Sequence, residues 1–182
     1  MRIALIHALR HSPPPIEAAF AELWPEPMLM NLLDDSLSAD LARDGVITPV
    51  MTGRFLSLAR YALGCGADAI LFTCSAFGPC IDAVKQAFPR LPVLKPNEAM
   101  VEEAAAIGGT IGLMASFAPT LASMPAEFPP DIRIAQRFVP DAMTALNHGN
   151  GNEHDRLVAA AAQDLAQCDA IALAQFSLAR AA

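Results

Sequence analysis

Cys74 sits in the stretch Thr73-Cys74-Ser75-Ala76-Phe77-Gly78, directly after the apolar run Ala69-Ile70-Leu71-Phe72. A thiol placed where a strand ends and a helix is about to begin meets free backbone N–H groups and the positive end of a helix dipole. Both favour thiolate, so this position predicts a lowered pKa and a nucleophile or base. Thr73 and Ser75 add hydroxyls, and the same N–H groups are suited to holding a substrate carboxylate. The alternative is a buried cysteine at a strand end, acting as a small apolar group. His7 closes a second apolar run, Ile3-Ala4-Leu5-Ile6, and its imidazole is expected to project from the strand end. Its reference pKa suits proton transfer; the competing reading is a histidine hydrogen-bonded in place.

Other reactive side chains read more plainly. Cys65 and Cys168 are expected to be buried thiols, and Cys80 to be packed in a helix or to act as a resolving thiol for Cys74. The four cysteines form no paired CxxC clusters, and the His7–His11 spacing joins a strand to a proline-containing segment, so no metal is expected. His148 and His154 belong to a polar stretch and are expected to be exposed. Asp34 and Asp35 suit a turn and helix cap. Arg10, Arg54, Arg137 and Arg180 are available for a second substrate carboxylate.

The elements that must position these groups alternate. Strands are expected at 3–8, 28–33, 69–72, 110–114, 132–139 and 170–174. Helices are expected at 16–23, from 36 toward 43, and at 52–63, 81–88 and 155–166, with a polar glycine-rich loop at 147–152. Short continuous apolar strands separated by helices argue for right-handed βαβ units and parallel sheets covered on both faces. The fold class is therefore α/β. An internal echo divides the chain into two similar lobes, 1–97 and 98–182. Ala67-Asp68-Ala69-Ile70-Leu71-Phe72-Thr73-Cys74 lines up with Cys168-Asp169-Ala170-Ile171-Ala172-Leu173-Ala174-Gln175, and Ile3 to Ala8 lines up with Ile111 to Ser116. Two such lobes place the carboxyl ends of their strands toward a shared crevice, where open parallel sheets bind ligands. On this echo Gln175 and Ser177 become hydrogen-bond donors to a substrate.

Composition narrows the function classes. Apolar residues make up 54% and charged residues 17%, which supports a sizeable core and argues against disorder. Net charge is −7 with few, scattered basic residues, so no nucleic-acid partner is expected. No run reaches the roughly 18 apolar residues of a membrane span, and no signal sequence is evident at the start, so a cytoplasmic protein is expected.

Gly66-Ala67-Asp68-Ala69-Ile70-Leu71-Phe72-Thr73-Cys74-Ser75 resembles the first cysteine motif of the aspartate/glutamate/hydantoin racemase superfamily. Gly109-Thr110-Ile111-Gly112-Leu113-Met114-Ala115-Ser116 is similar to the strand that opens the family's second lobe, and 92–99 to the crossover before it. The resemblance implies a cofactor-independent isomerase acting beside the carboxylate of a small amino acid, dicarboxylate or hydantoin-like acid. It makes Cys74 the base or nucleophile, Ser116 a hydroxyl for the substrate carboxylate, and Thr120 a further contact. Ser116 and Thr120 would serve equally as helix caps. The sequence departs from the family at Gln175, where the second catalytic cysteine is expected; a neutral amide is no acid or base near neutral pH. Three readings stay open: Cys74 working alone in cis–trans isomerisation or decarboxylation, His7 supplying the opposite base, or a small-acid-binding protein without turnover. Family members continue further beyond the last strand, which leaves the second lobe here incomplete or differently closed. An unpaired sheet edge at that point favours a homo-oligomer, most simply a dimer.

Overall fold

The computed structural model describes residues 1–182. The chain divides into two compact units, Met1–Pro96 and Asn97–Ala182. The first contains β1 (Arg2–His7), α1 (Pro13–Leu23), β2 (Met28–Leu33), α2 (Ser36–Asp44), α3 (Pro49–Gly64), β3 (Ala69–Phe72), α4 (Gly78–Ala87) and β4 (Val93–Leu94). Its four strands run parallel in the order β2-β1-β3-β4. The second contains α5 (Glu98–Ile107), β5 (Thr110–Ala115), α6 (Ala118–Ser123), β6 (Arg133–Phe138), α7 (Pro140–Asn147), α8 (Gly151–Ala162) and β7 (Ala170–Leu173), and ends in a 3-10 turn at Phe176–Ala181. Its strands are also parallel, in the order β6-β5-β7. Two parallel sheets flanked by helices make this an α/β fold.

Each sheet is organised around its first strand in sequence. β1 is buried from Ile3 to His7 and β5 from Ile111 to Ala115, because both lie centrally and are covered on both faces. In the second unit the strand alternation sorts the core. Ile111, Leu113 and Ala115 pack with Val101, Ala104 and Leu121 of α5 and α6, whereas Met114 packs with Ala142, Val158 and Ala161 of α7 and α8. The edge strands β2 and β6 expose much of their length.

The internal echo extends to register and hydrogen bonding. Ile3 pairs with Ala69 and Ile6 with Phe72; Ile111 pairs with Ala170 and Met114 with Leu173. In each unit an aspartate just before the third strand locks onto the first residue of the central strand. Asp68 accepts the Arg2 N–H at 2.7 Å and Asp169 accepts the Thr110 N–H at 2.7 Å. The backbone N–H of each aspartate returns a bond of 2.8 Å to the carbonyl of the same residue, Arg2 or Thr110. Gly109 makes room for this lock: its φ is +75°, and a Cβ there would collide with the Asp169 carboxylate.

Several boundaries differ from the sequence reading. Pro13, Pro14 and Pro15 form the first turn of α1 rather than a break before it, because the N–H groups that proline lacks are unsatisfied there in any helix. α4 likewise begins early, with Pro79 in its first turn, and α3 begins at Pro49 with Thr48 accepting the Met51 N–H at 3.3 Å. The expected loop at 147–152 is shorter: α7 runs through Asn147, and α8 starts at Gly151, where Asn150 accepts the Glu153 N–H at 3.2 Å.

Gly109→Ala is expected to destabilise the protein by about 1–3 kcal/mol, since the new Cβ both strains φ and displaces the Asp169 carboxylate. Gly64→Ala, with nothing within 4 Å and no positive φ, should be neutral or slightly stabilising. Urea midpoints of the two variants measure the contrast; equal midpoints would mean that the aspartate lock carries no stability.

Candidate active site

Three aromatic rings hold the segment that carries Cys74. Phe72 ends β3, Phe77 lies in the 3-10 turn Ser75–Phe77 leading into α4, and both rings pack on Phe55 of α3, with centroids 5.1 and 5.0 Å away. All three are fully buried. The turn is thus pinned on either side of the thiol, and the Phe77 N–H closes it by donating to the Cys74 carbonyl at 3.1 Å.

The parallel register brings the end of β1 beside the end of β3. The Thr73 N–H donates to the Ile6 carbonyl at 3.0 Å, the last ladder bond before Cys74. Cys74 Sγ lies 3.6 Å from the same carbonyl oxygen, toward which a thiol can donate. The Ala8 N–H and the Thr73 hydroxyl also face the sulfur. The thiol is only 7% exposed. Burial outweighs the neighbouring donors and pushes its pKa up to about 12. This corrects the expectation of a thiolate activated by its place before a helix: removal of water from the sulfur dominates, and the resting group is a thiol. Burial also raises the pKa of Cys80, whose sulfur lies 3.5 Å from Thr52 Oγ1.

His7 does not project from the sheet. Its side chain is completely buried, with Nδ1 2.8 Å from Thr73 Oγ1 and Nε2 2.9 Å from Asn31 Oδ1. Desolvation lowers its pKa, against the raising influence of Asn31 and of the nearby Glu17 carboxylate. Asn31 in turn donates from Nδ2 to Glu17 Oε1 at 2.6 Å. Cys74, Thr73, His7, Asn31 and Glu17 therefore form one connected line running from the end of β3, through β1 and β2, to α1. Asn31 and Glu17 escaped the sequence reading. The available signal was Asn31 itself, the single polar side chain in Met28-Leu29-Met30-Asn31-Leu32-Leu33.

The corresponding corner of the second unit is built on the same plan with different chemistry. Where the Ala8 N–H faces Cys74, the Ser116 N–H donates to Gln175 Oε1 at 2.7 Å, and the Ser116 hydroxyl reaches the same oxygen at 3.1 Å. Ser116 thus bonds to Gln175 and does not cap α6, which has no side-chain cap. Thr120 and Ser75 are buried, and Ser177 is buried with its hydroxyl unpartnered.

The remaining expectations divide. Asp34 is engaged by Arg54 at 2.5 Å, and Arg54 also reaches Asp40 at 2.7 Å; burial pushes the Asp34 carboxyl up, but Arg54 and Ser36 together outweigh it and hold the group below its usual range. Arg10 pairs with Asp35, Arg137 with Asp164 and Arg180 with Asp155. Each arginine expected to be available for a substrate is therefore already ion-paired. His154 is fully buried, contrary to expectation, with Nδ1 2.7 Å from Asp155; His148 is exposed. Cys65 and Cys168 are half-buried free thiols rather than core groups. No cluster of three His, Cys, Asp or Glu side chains suited to a metal forms, and no helix is long and apolar enough to cross a membrane.

Two pH-dependent outcomes follow. Thiolate absorbance near 240 nm, taken as wild type minus Cys74→Ser, should show no contribution from Cys74 until about two units below its midpoint of about 12. A Cys74 thiolate at neutral pH would overturn the buried-thiol assignment. His7 binds its proton less readily folded than unfolded, so its contribution to stability is full above the ordinary value of 6.5 and is lost as pH falls below it. His7→Asn should flatten the decline in urea midpoint below pH 6.5, and an unchanged slope would show that His7 is not the group responsible.

No protein-family model matches the chain, and no curated protein sequence matches it. Among solved structures, it is similar to the crystal structure of glutamate racemase from Francisella tularensis subsp. tularensis SCHU S4 in complex with D-glutamate. The match has a TM-score of 0.70 at 14% identity and covers 100% of this chain and 73% of the racemase. At that identity the likeness establishes a shared racemase-type α/β fold.

Proposed function

We propose that the protein is a cofactor-independent, racemase-like isomerase in which Cys74 moves a proton at the carbon next to the carboxylate of a small acid. The observation that carries this reading is the unbroken line from Cys74 through the Thr73 hydroxyl to His7 Nδ1. A buried thiol is a poor base until its proton has somewhere to go. Here Cys74 S–H gives its proton to Thr73 Oγ while the Thr73 O–H proton passes to His7 Nδ1. The products are a thiolate and an imidazolium, with the proton on His7 Nε2 still directed at Asn31 Oδ1. The thiolate can then take the α-proton of a substrate and later return it as thiol. His7 acts through Thr73 and is a positioning and proton-holding residue rather than one that meets the substrate. Thr73 and Ser75, on either side of the thiol, supply hydroxyls for the acid's carboxylate. The likeness to glutamate racemase in fold supports the reaction class.

A second reading is favoured by Gln175 and by the raised pKa of Cys74. With an amide in place of a second thiol, and with the resting cysteine protonated, the site suits delivery of one proton to one face of a carbanion, as after loss of carbon dioxide.

Incubation of the protein with amino acids, small dicarboxylates, hydantoins and substituted malonates in deuterated water, followed by proton NMR and chiral chromatography, tests both. Exchange accompanied by inversion supports the racemase-like reading. Carbon dioxide release with deuterium entering on one face supports the second. Cys74→Ala should lower either rate by roughly 10²–10⁴-fold, the contribution of a positioned acid–base group. A working substrate that turns over equally well in Cys74→Ala would sink both readings.

A further inference from the structure

The line that begins at Cys74 ends on an exposed carboxylate, and that end carries information about the buried one. An ionised carboxylate only accepts hydrogen bonds. Glu17 Oε1 lies 2.6 Å from the Asn31 amide, so Asn31 must turn Nδ2 toward Glu17 and Oδ1 toward His7. Asn31 Oδ1 also only accepts, so His7 Nε2, 2.9 Å away, must carry a proton. In the neutral imidazole Nδ1 is then the bare nitrogen, and it faces Thr73 Oγ1 at 2.8 Å. We infer that Glu17, working through Asn31, is a positioning residue that fixes the tautomer of His7 and so makes Nδ1 the proton acceptor for the Thr73–Cys74 pair.

The inference depends on direction rather than on strength. The Glu17–Asn31 bond lies at the surface and contributes little to stability. Its effect is to select a polarity: the Thr73 hydroxyl can donate either to His7 Nδ1 at 2.8 Å or to the Ile6 carbonyl at 3.3 Å, so the chain Asn31–His7–Thr73 can be bonded either way, and the acceptor-only carboxylate at the far end selects the first. The substitution Glu17→Gln preserves size and reach but restores the choice. The amide it introduces can accept from Asn31 as the carboxylate does, or it can donate to Asn31 Oδ1. In the second case Asn31 Nδ2 donates to a bare His7 Nε2, and His7 Nδ1–H points at Thr73, where it can no longer receive a proton. Asn31→Asp removes the choice again, because a carboxylate there accepts from both neighbours.

The test reads the tautomer directly and needs no substrate. Long-range proton–nitrogen correlation NMR on the full chain, at a pH where His7 is neutral, should give the Nε2–H form alone in wild type. Glu17→Gln should give both forms in comparable amounts, and Glu17→Gln combined with Asn31→Asp should return to Nε2–H alone. Glu17 is exposed, so the fold should survive, and an unchanged melting temperature checks that it has. A single Nε2–H form in Glu17→Gln would overturn the inference, as would a wild type in the Nδ1–H form. The consequence for turnover rests on the racemase-like reading above. There, exchange of the α-proton should slow about twofold in Glu17→Gln at unchanged KM, in step with the fraction of His7 left in the Nε2–H form, and recover in the double variant. If the tautomer responds while no acid is turned over by wild type, the functional reading fails and the positioning role stands.

Discussion

Every side chain of the line from Cys74 to Glu17 takes its place from the register between β1 and its neighbours, above all β3. Ile3 lies opposite Ala69 and Ile6 opposite Phe72, which sets Thr73 beside His7 and the Cys74 sulfur beside the Ala8 N–H. A shift of one residue would turn each of these side chains to the opposite face. The register is held at its start by the exchange between Asp68 and Arg2 and at its finish by Phe72 and Phe77 packing on Phe55. The first is polar and directional, and the second is apolar and bulky. Together they fix both where the strand begins and where the turn after it can go.

Burial then decides the charge state. Cys74 and His7 are each driven toward their neutral forms by loss of water, the thiol upward and the imidazole downward in pKa. Neither group is reactive by itself in the resting protein. In the reaction proposed above, exchange of a proton through Thr73 would convert the neutral pair into an ion pair whose charges compensate one another away from water. The sheet thus holds a thiol and an imidazole at the ends of adjacent strands, with the Thr73 hydroxyl between them.

How much of this was legible in the sequence follows from the range of the interactions. β1, β3, β5 and β7 announce themselves as short continuous apolar runs, because parallel strands buried on both faces need them, and the repeated Ala-Asp and Cys-Asp steps before β3 and β7 mark the aspartate locks. The start of α1 and the whole of α7 were hidden by proline, which reads as a breaker in isolation yet is comfortable in a first helical turn. Cys74 was visible from local position alone, but its pKa was not, since the side chains that exclude water from it come from distant segments. The direction of the His7 ring was equally out of reach: its partners are Asn31 and Thr73, 24 and 66 positions away. The arginines looked available only because the carboxylates that hold them, such as Asp34 and Asp40 for Arg54, approach through folding.

The bond between Ser116 and Gln175 has a consequence for what position 175 can tolerate. The two units share the placement of their first three strands, a register, an aspartate lock and an N–H aimed at the second residue past the third strand. In one half that N–H faces a thiol; in the other it is satisfied by an amide oxygen that the chain itself provides. Gln175 serves structure at this corner, tying the segment after β7 to the end of β5. Loss of the amide would leave the Ser116 N–H without its partner, so this position resists replacement by an apolar side chain even though it lies outside any strand or helix core.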